Sequence, residues 1–402
     1  MRPELAFQAS TFKTQSPTLD RTLEFCSIAK VSHIDSIGFI VFRHPLCSHD
    51  VAEFRMMRLV ALFALAYPIV LGGLEQSAQR QPLPVFTRMG LTPAEVAAVD
   101  KGRPVAKVLS RGEPSEVYVF GAVHITGSPD TYLKSARDIK RLAAVKGYLG
   151  IGELPPTSIE PADLSGIVLD PGDIKSLKDC KEGDCDVQLP RGSIQAFRKS
   201  VNWDRADAAD QVNRLAREML ANLIREYRKA GNAALGEYRD NKNPTRISQQ
   251  FEKMVGRATA LPDVLPELQQ YLLRYPDADL PGADSFMYWE KVEFGMKPTI
   301  RVNHAVIYNV KRQDRNISVV AIKQLYASHY FHTALDLTVC VPDPSPGGFY
   351  LLTLKASEQG GLTGITGSAL RQVAVGKIRS SLESALASIK RNIEQSAPAA
   401  ER

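Results

Sequence analysis

The sequence predicts an α+β protein in which an antiparallel β-meander grips a long C-terminal helix, preceded by a large, mainly helical region. Three observations carry this. Four β-rich runs between residues 300 and 357 are separated only by short turn-forming links, the pattern of an antiparallel meander. They are followed by Ser368–Gln395, where Leu370, Val373, Ile378, Leu382, Ala385, Ile389 and Ile393 fall on one stripe of a helix. The stretch from about 146 to 295 carries helical rather than strand periodicity.

In chain order, Thr92-Pro93-Ala94-Glu95 has the spacing of a capping box with proline at the first helical position, so a short helix is expected over Thr92–Val99. Val105–Leu109 and Glu116–Ile125 flank Arg111-Gly112-Glu113-Pro114 and read as a hairpin. Ser128-Pro129-Asp130 opens a helix continuing through Thr131–Ala144. Further on, Ala206–Tyr238 reads as one amphipathic helix or a broken pair, weakened at its end by Gly231 and Gly236. Ile247–Val255 and Val264–Leu273 are helical, and Tyr275–Pro281 is a turn-rich exit. The meander strands are Ile300–Val310, Ile317–His329, Thr333–Val341 and Phe349–Ser357. The last helix is roughly 40 Å long. With one apolar face it must lie across something of matching size, and the meander is the expected partner.

With 402 residues, 44% apolar and 23% charged, the chain can bury a sizeable core. Its net charge of +6 is spread over scattered pairs such as Lys311–Arg312 and Lys390–Arg391, with no basic stripe interleaved with aromatics, so no nucleic-acid partner is expected. Near the start, Arg58 precedes an uncharged run from Leu59 to Leu74, then small residues, which is the layout of a secretory signal. At 16 residues the run is short of the ~20 that a spanning helix needs. Residues 56–78 are therefore read as a signal peptide and the product as exported to the periplasm, with no permanent membrane span. Because a signal occupies the extreme N-terminus, residues 1–55 are read as a disordered, non-native upstream extension. Residues 79–402 then form a single α+β domain.

Candidate chemistry is sparse. Cys180-Lys-Glu-Gly-Asp-Cys185 is a compact loop that an oxidising compartment could close as a disulfide, and Cys340 sits in a strand as a small hydrophobe. No second ligand pair stands at zinc spacing, so no metal site is expected. The dinucleotide and P-loop patterns are absent and no cofactor is expected; Gly361-x-x-Gly364-x-x-Gly367 reads as a tight turn into the last helix. His332 and Asp336, four apart on a strand, would share a face, so the carboxylate could orient the imidazole for acid/base work. Arg301, Lys323 and Asp336 are charged residues inside apolar strands, and on a covered face they would form the polar floor of a pocket.

A strand ending in Phe120-Gly-Ala-Val-His-Ile125, a Ser-Pro-Asp helix start, a run of antiparallel strands and a Gly-broken loop feeding a long terminal helix together resemble the helix-grip fold of START-like and polyketide-cyclase-like proteins. The resemblance covers about residues 116–140 and 298–395 and leaves 146–295 as a helical insertion. It implies an apolar cavity between sheet and helix that binds a lipid or another hydrophobic molecule, with Tyr288, Trp289, His304, Lys323, Tyr326, Tyr330 and Phe349 as lining residues. The expected function is a carrier of a hydrophobic ligand. The alternatives are a cyclase- or hydrolase-type enzyme on the same scaffold using His332 and Asp336, and an interaction module using the helical middle.

Overall fold

A computed structural model describes residues 83–110, 112–258, 265–293, 297–312, 315–343, 347–360 and 364–396. All belong to one compact unit, Gln76–Arg402. The signal and the upstream extension expected over residues 1–78 lie outside the described residues, as does Gly361. No helix among the described residues is long and apolar enough to cross a membrane.

The described residues open with α1 (Pro84–Arg88), α2 (Pro93–Asp100), β1 (Val105–Leu109), β2 (Glu116–Thr126), α3 (Pro129–Arg137) and β3 (Tyr148–Glu153). The middle holds α4 (Pro171–Asp179), α5 (Arg191–Ser200), α6 (Ala208–Ala230), a two-residue ladder of β4 (Glu237–Tyr238) with β5 (Thr245–Arg246), α7 (Ile247–Arg257) and α8 (Pro266–Arg274). Then come β6 (Asp284–Val292), β7 (Thr299–Arg312), β8 (Arg315–Ala327), β9 (Phe331–Pro342), β10 (Gly348–Gln359) and α9 (Gly364–Ser396).

Local signals hold where expected. The Thr92 hydroxyl accepts from the Glu95 amide and the Glu95 carboxylate accepts from the Thr92 amide, completing the capping box. Ser128 caps α3 by accepting from the Asp130 amide at 3.2 Å. That helix is shorter than its periodicity predicts: it stops at Arg137 and the chain tightens into a 3-10 turn over Ile139–Ala144.

Eight strands form one antiparallel sheet in the order β1-β2-β10-β9-β8-β7-β6-β3. The region 146–295 is therefore no simple helical insertion, since it opens in β3 and closes in β6, which pair with each other at one edge. Tyr148-Leu-Gly-Ile-Gly-Glu153 reads poorly as a strand because of its glycines, yet they have a packing reason. A Cβ on Gly152 would lie 2.5 Å from the indole of Trp289, and one on Gly150 would lie 3.1 Å from it.

Both sheet faces are covered, so residues alternate between two cores. One face carries Val117, Val119, Val123, Phe349, Leu351 and Ile307 against α3 and α9. On the opposite face, Phe120, Leu352, Leu337 and Val306 pack against α1, α2, α7 and α8. Beside them Trp289, Val302 and Tyr326 meet α4, α5 and α6.

The terminal helix does not rest mainly on the meander β7–β10. Its principal contacts are with β2 and β1. The cause is topological: β2 pairs with β10, so a helix that turns back after β10 meets β2 first. Gly121 lets it come close, for a Cβ there would sit 2.8 Å from both Leu382 and Leu386. Leu382, Leu386 and Ile393 form the buried stripe, while Val373 is 58% exposed. Ala385 is also exposed, so the contact face is rotated towards Leu386 from the one the sequence suggests.

Candidate functional site

The β7–β8 ladder sets His304 directly opposite Lys323 on the face covered by α6 and α8. Tyr227, one turn before the end of α6, descends onto both. That helix must stop at once, and Gly231, at φ +55°, makes the break; a Cβ there would meet the carbonyl oxygen of Tyr275 at 1.6 Å. The break delivers Asn232, whose amide nitrogen donates to the Leu272 and Leu273 carbonyls at 3.2 and 2.9 Å, and so turns its oxygen toward Lys323.

The result is a continuous chain of side chains from the surface to the interior. Ser285, exposed near the start of β6, has Oγ 2.7 Å from His304 Nε2. On the other side of the ring, Nδ1 lies 3.0 Å from Tyr227 Oη, which is 3.2 Å from Lys323 Nζ. The Lys323 nitrogen also bonds Asn232 Oδ1 and the Leu272 carbonyl oxygen, and sits 4.4 Å from the centre of the Phe251 ring. At the outer end, Tyr271 Oη lies 3.1 Å from Ser285 Oγ.

Burial shifts the titratable groups along this chain. Lys323 and Tyr227 are fully buried, and no carboxylate among the described residues forms an ion pair with the lysine. Burial without a counter-charge disfavours the ammonium and pushes its pKa down to about 7. Burial, reinforced by the charges of Lys323 and Arg228, pushes His304 down to about 3, so its ring is neutral near pH 7. The phenol of Tyr227 is pushed well above its usual value, first by burial. Strongly shifted groups in hydrogen-bond contact with an exposed hydroxyl make this chain the candidate site.

The other residues singled out in the sequence lie apart. His332 and Asp336 do not meet. A register shift between Glu358 and Gln359 rotates the start of β9, so the four-residue spacing no longer places both on one face. His332 instead lies 2.6 Å from Glu358 and against the ring of Tyr238, whereas Asp336 pairs with Lys355 on the α9 face. Arg301 shares that face and pairs with buried Glu290 at 3.1 Å, so the three strand charges do not form one floor.

The expected lining residues are divided likewise. Tyr288 and Phe349 are buried on the α9 face and Trp289 and Tyr326 on the opposite one. Tyr330 occupies the β8–β9 turn at φ +64°, its hydroxyl accepting from the Lys297 amide. A cavity of about 20 Å³ lined by Ile167, Leu177, Phe197, Ile300 and Tyr326 has room for about one water and none for a lipid chain. Cys180 and Cys185 are joined as a disulfide, and Cys340 is buried and free. Among the described residues no group of three or more His, Cys, Asp or Glu side chains could hold a metal ion.

Sequence reasoning missed Ser285, Tyr227, Tyr271 and Asn232. Tyr227 stands on the predicted apolar stripe of α6, where nothing marks its hydroxyl as different from a ring edge. Ser285 falls in a strand whose two faces are both apolar, which hides the period of two.

The chain matches no protein-family model, no curated protein and no solved structure with which it was compared.

Proposed function

We propose that the protein is an enzyme of hydrolase type, with Ser285 as its nucleophile and Lys323, reached through His304 and Tyr227, as the proton acceptor. The single observation that carries this reading is the unbroken hydrogen-bonded path from an exposed hydroxyl to a buried lysine without a carboxylate partner. In acyl transfer, Ser285 Oγ bonds the substrate's acyl carbon and gives its proton to His304 Nε2. The Nδ1 proton moves to Tyr227, whose own proton moves to the Lys323 amine. The return of a proton along the same path serves the leaving group, and water then releases the acyl chain. His304 is too weak a base to hold the proton and works as a relay; Lys323, tuned close to neutral pH, is suited to accept and return it. The Tyr271 hydroxyl stands 3.1 Å from Ser285 Oγ at the outer end of the path.

The carrier reading finds less support. It needs open apolar volume beneath the last helix, and the packing of Leu382 and Leu386 against Gly121 is close. A location outside the cytoplasm belongs to the proposal, with the Cys180–Cys185 bridge as its support alongside the signal-like stretch over residues 56–78.

Treatment of the purified chain with a fluorophosphonate, followed by peptide mapping, tests the assignment. An adduct on Ser285 is expected, absent in Ser285→Ala and formed on the order of a hundredfold more slowly in Lys323→Met. A wild-type protein that gives no adduct at Ser285 anywhere between pH 6 and pH 10 overturns it.

A further inference from the structure

We propose that the charge on Lys323 sets the direction of this hydrogen-bond chain, and with it which nitrogen of His304 carries the proton and whether Ser285 donates inward. The geometry of the chain stands by itself, and its consequence for reactivity rests on the reading of Ser285 as a nucleophile.

The inference follows from counting hydrogens. Lys323 Nζ meets three oxygens, of Asn232, Leu272 and Tyr227. The first two can only accept: one is a main-chain carbonyl, and the other is an amide oxygen held in place because its own nitrogen is spent on the Leu272 and Leu273 carbonyls. Two hydrogens of the lysine are thus committed. Its third tetrahedral position points to Tyr227 as an N–H in the ammonium form and as a lone pair in the amine form.

Each form propagates through single-hydrogen groups. With the ammonium, Tyr227 accepts from Lys323 and must donate to His304 Nδ1. The neutral ring then carries its hydrogen on Nε2 and donates it to Ser285 Oγ, whose own hydrogen faces away. With the amine, Tyr227 donates to Lys323 and accepts from Nδ1–H, and Nε2 is left as an acceptor for the Ser285 hydroxyl at 2.7 Å, which is nearer than the Tyr271 hydroxyl at 3.5 Å. Tyr271 can instead donate to Ser285 Oγ at 3.1 Å. Both networks are fully satisfied in the same heavy-atom positions. Only the second polarises the serine oxygen for attack.

The groups facing the lysine and the ring from the surrounding elements leave Lys323 as the one that changes charge near neutral pH. Tyr227 of α6, Tyr271 of α8 and Tyr275 beyond it are all raised above their usual phenol values by burial. Arg228 is directed by its guanidinium to the Pro155 and Thr157 carbonyls and stays charged, and His304 stays neutral. Asn232 and Phe251, from the turn after α6 and from α7, do not titrate.

The test is nitrogen-15 NMR of the full chain labelled at histidine, followed from pH 5.5 to pH 9.5 and assigned with His304→Gln. The expected result is one transition near pH 7 in which the protonated and bare nitrogen signals of His304 exchange, Nε2–H below and Nδ1–H above. It disappears in Lys323→Met and in Tyr227→Phe. Should those variants not fold, Asn232→Asp supplies the missing counter-charge and moves the midpoint up by at least one pH unit. A single tautomer over the whole range, or an unchanged transition in Lys323→Met or Asn232→Asp, overturns the proposal. The failures are separable. Tautomer exchange without a Ser285 adduct removes the nucleophile and leaves the switch, whereas an adduct without exchange does the reverse. If both hold, the rate of adduct formation falls tenfold per pH unit below the transition.

Discussion

Replacing Lys323 by methionine keeps an unbranched apolar stem of similar length and removes the amine, so the change in stability reports chiefly on the buried charge and its hydrogen bonds. In the folded protein burial moves the lysine from 10.5 to about 7. The unfolded chain therefore binds more protons between those two values, and stability rises with pH across that window. Above 10.5 neither state is protonated and no penalty exists; below 7 both are, and the full penalty stands. A shift of this size corresponds to about 4–5 kcal/mol. Of that, about 3–4 kcal/mol falls between pH 7 and pH 10. Against it, methionine loses three hydrogen bonds of about 1 kcal/mol each at every pH. The variant is therefore expected to be at least as stable as the parent at pH 7 and less stable at pH 10. Urea denaturation of both proteins at pH 7, 8, 9 and 10 measures this, and the other titrating groups cancel in the difference. A gap between the two proteins that stays constant within about 1 kcal/mol from pH 7 to pH 10 would refute the reasoning and restore an ordinary lysine.

Two other consequences concern the scaffold. Gly121→Val drives a branched side chain into Leu382 and Leu386, and a loss of about 1–3 kcal/mol in chemical denaturation is expected, whereas Gly376→Ala on α9, where a Cβ has open space, should gain about 0.5–1 kcal/mol. Equal effects at the two sites would mean that the helix does not sit on β2. Opening the Cys180–Cys185 loop by Cys180→Ser with Cys185→Ser should cost about 2 kcal/mol, given its short closure, and thermal unfolding with and without reductant gives the check.

Much of the fold was legible. The capping box at Thr92, the Ser128 cap, the β1–β2 hairpin, the meander and the terminal helix all announce themselves through contacts between residues a few positions apart, which sequence periodicity reports well. Strands β3 and β6 did not, because each answers to a distant partner. The glycines of β3 exist for Trp289, and β6 is apolar on both sides because helices cover both. The candidate site was half legible. Lys323 was singled out as a charge inside an apolar strand and His304 as a lining residue implied by the helix-grip resemblance, and they stand opposite one another in register. Ser285 and Asn232 carried no signal, since a surface serine and a loop asparagine are ordinary until something is placed beside them.

The sequence by itself determined the type of the segments around β1, β2, the meander and the terminal helix, that the chain folds as α+β, and that Cys180 and Cys185 stand close enough along the chain to close a short loop. Those properties are set by neighbours, and the neighbours are written in order. Only the tertiary structure decided that α9 seats on β2, that a bulge parts His332 from Asp336, and that Tyr227 comes down between His304 and Lys323. Each depends on register and on which face meets which helix. A shift of one residue in pairing exchanges the two sides of a strand, and nothing local in the chain prevents it.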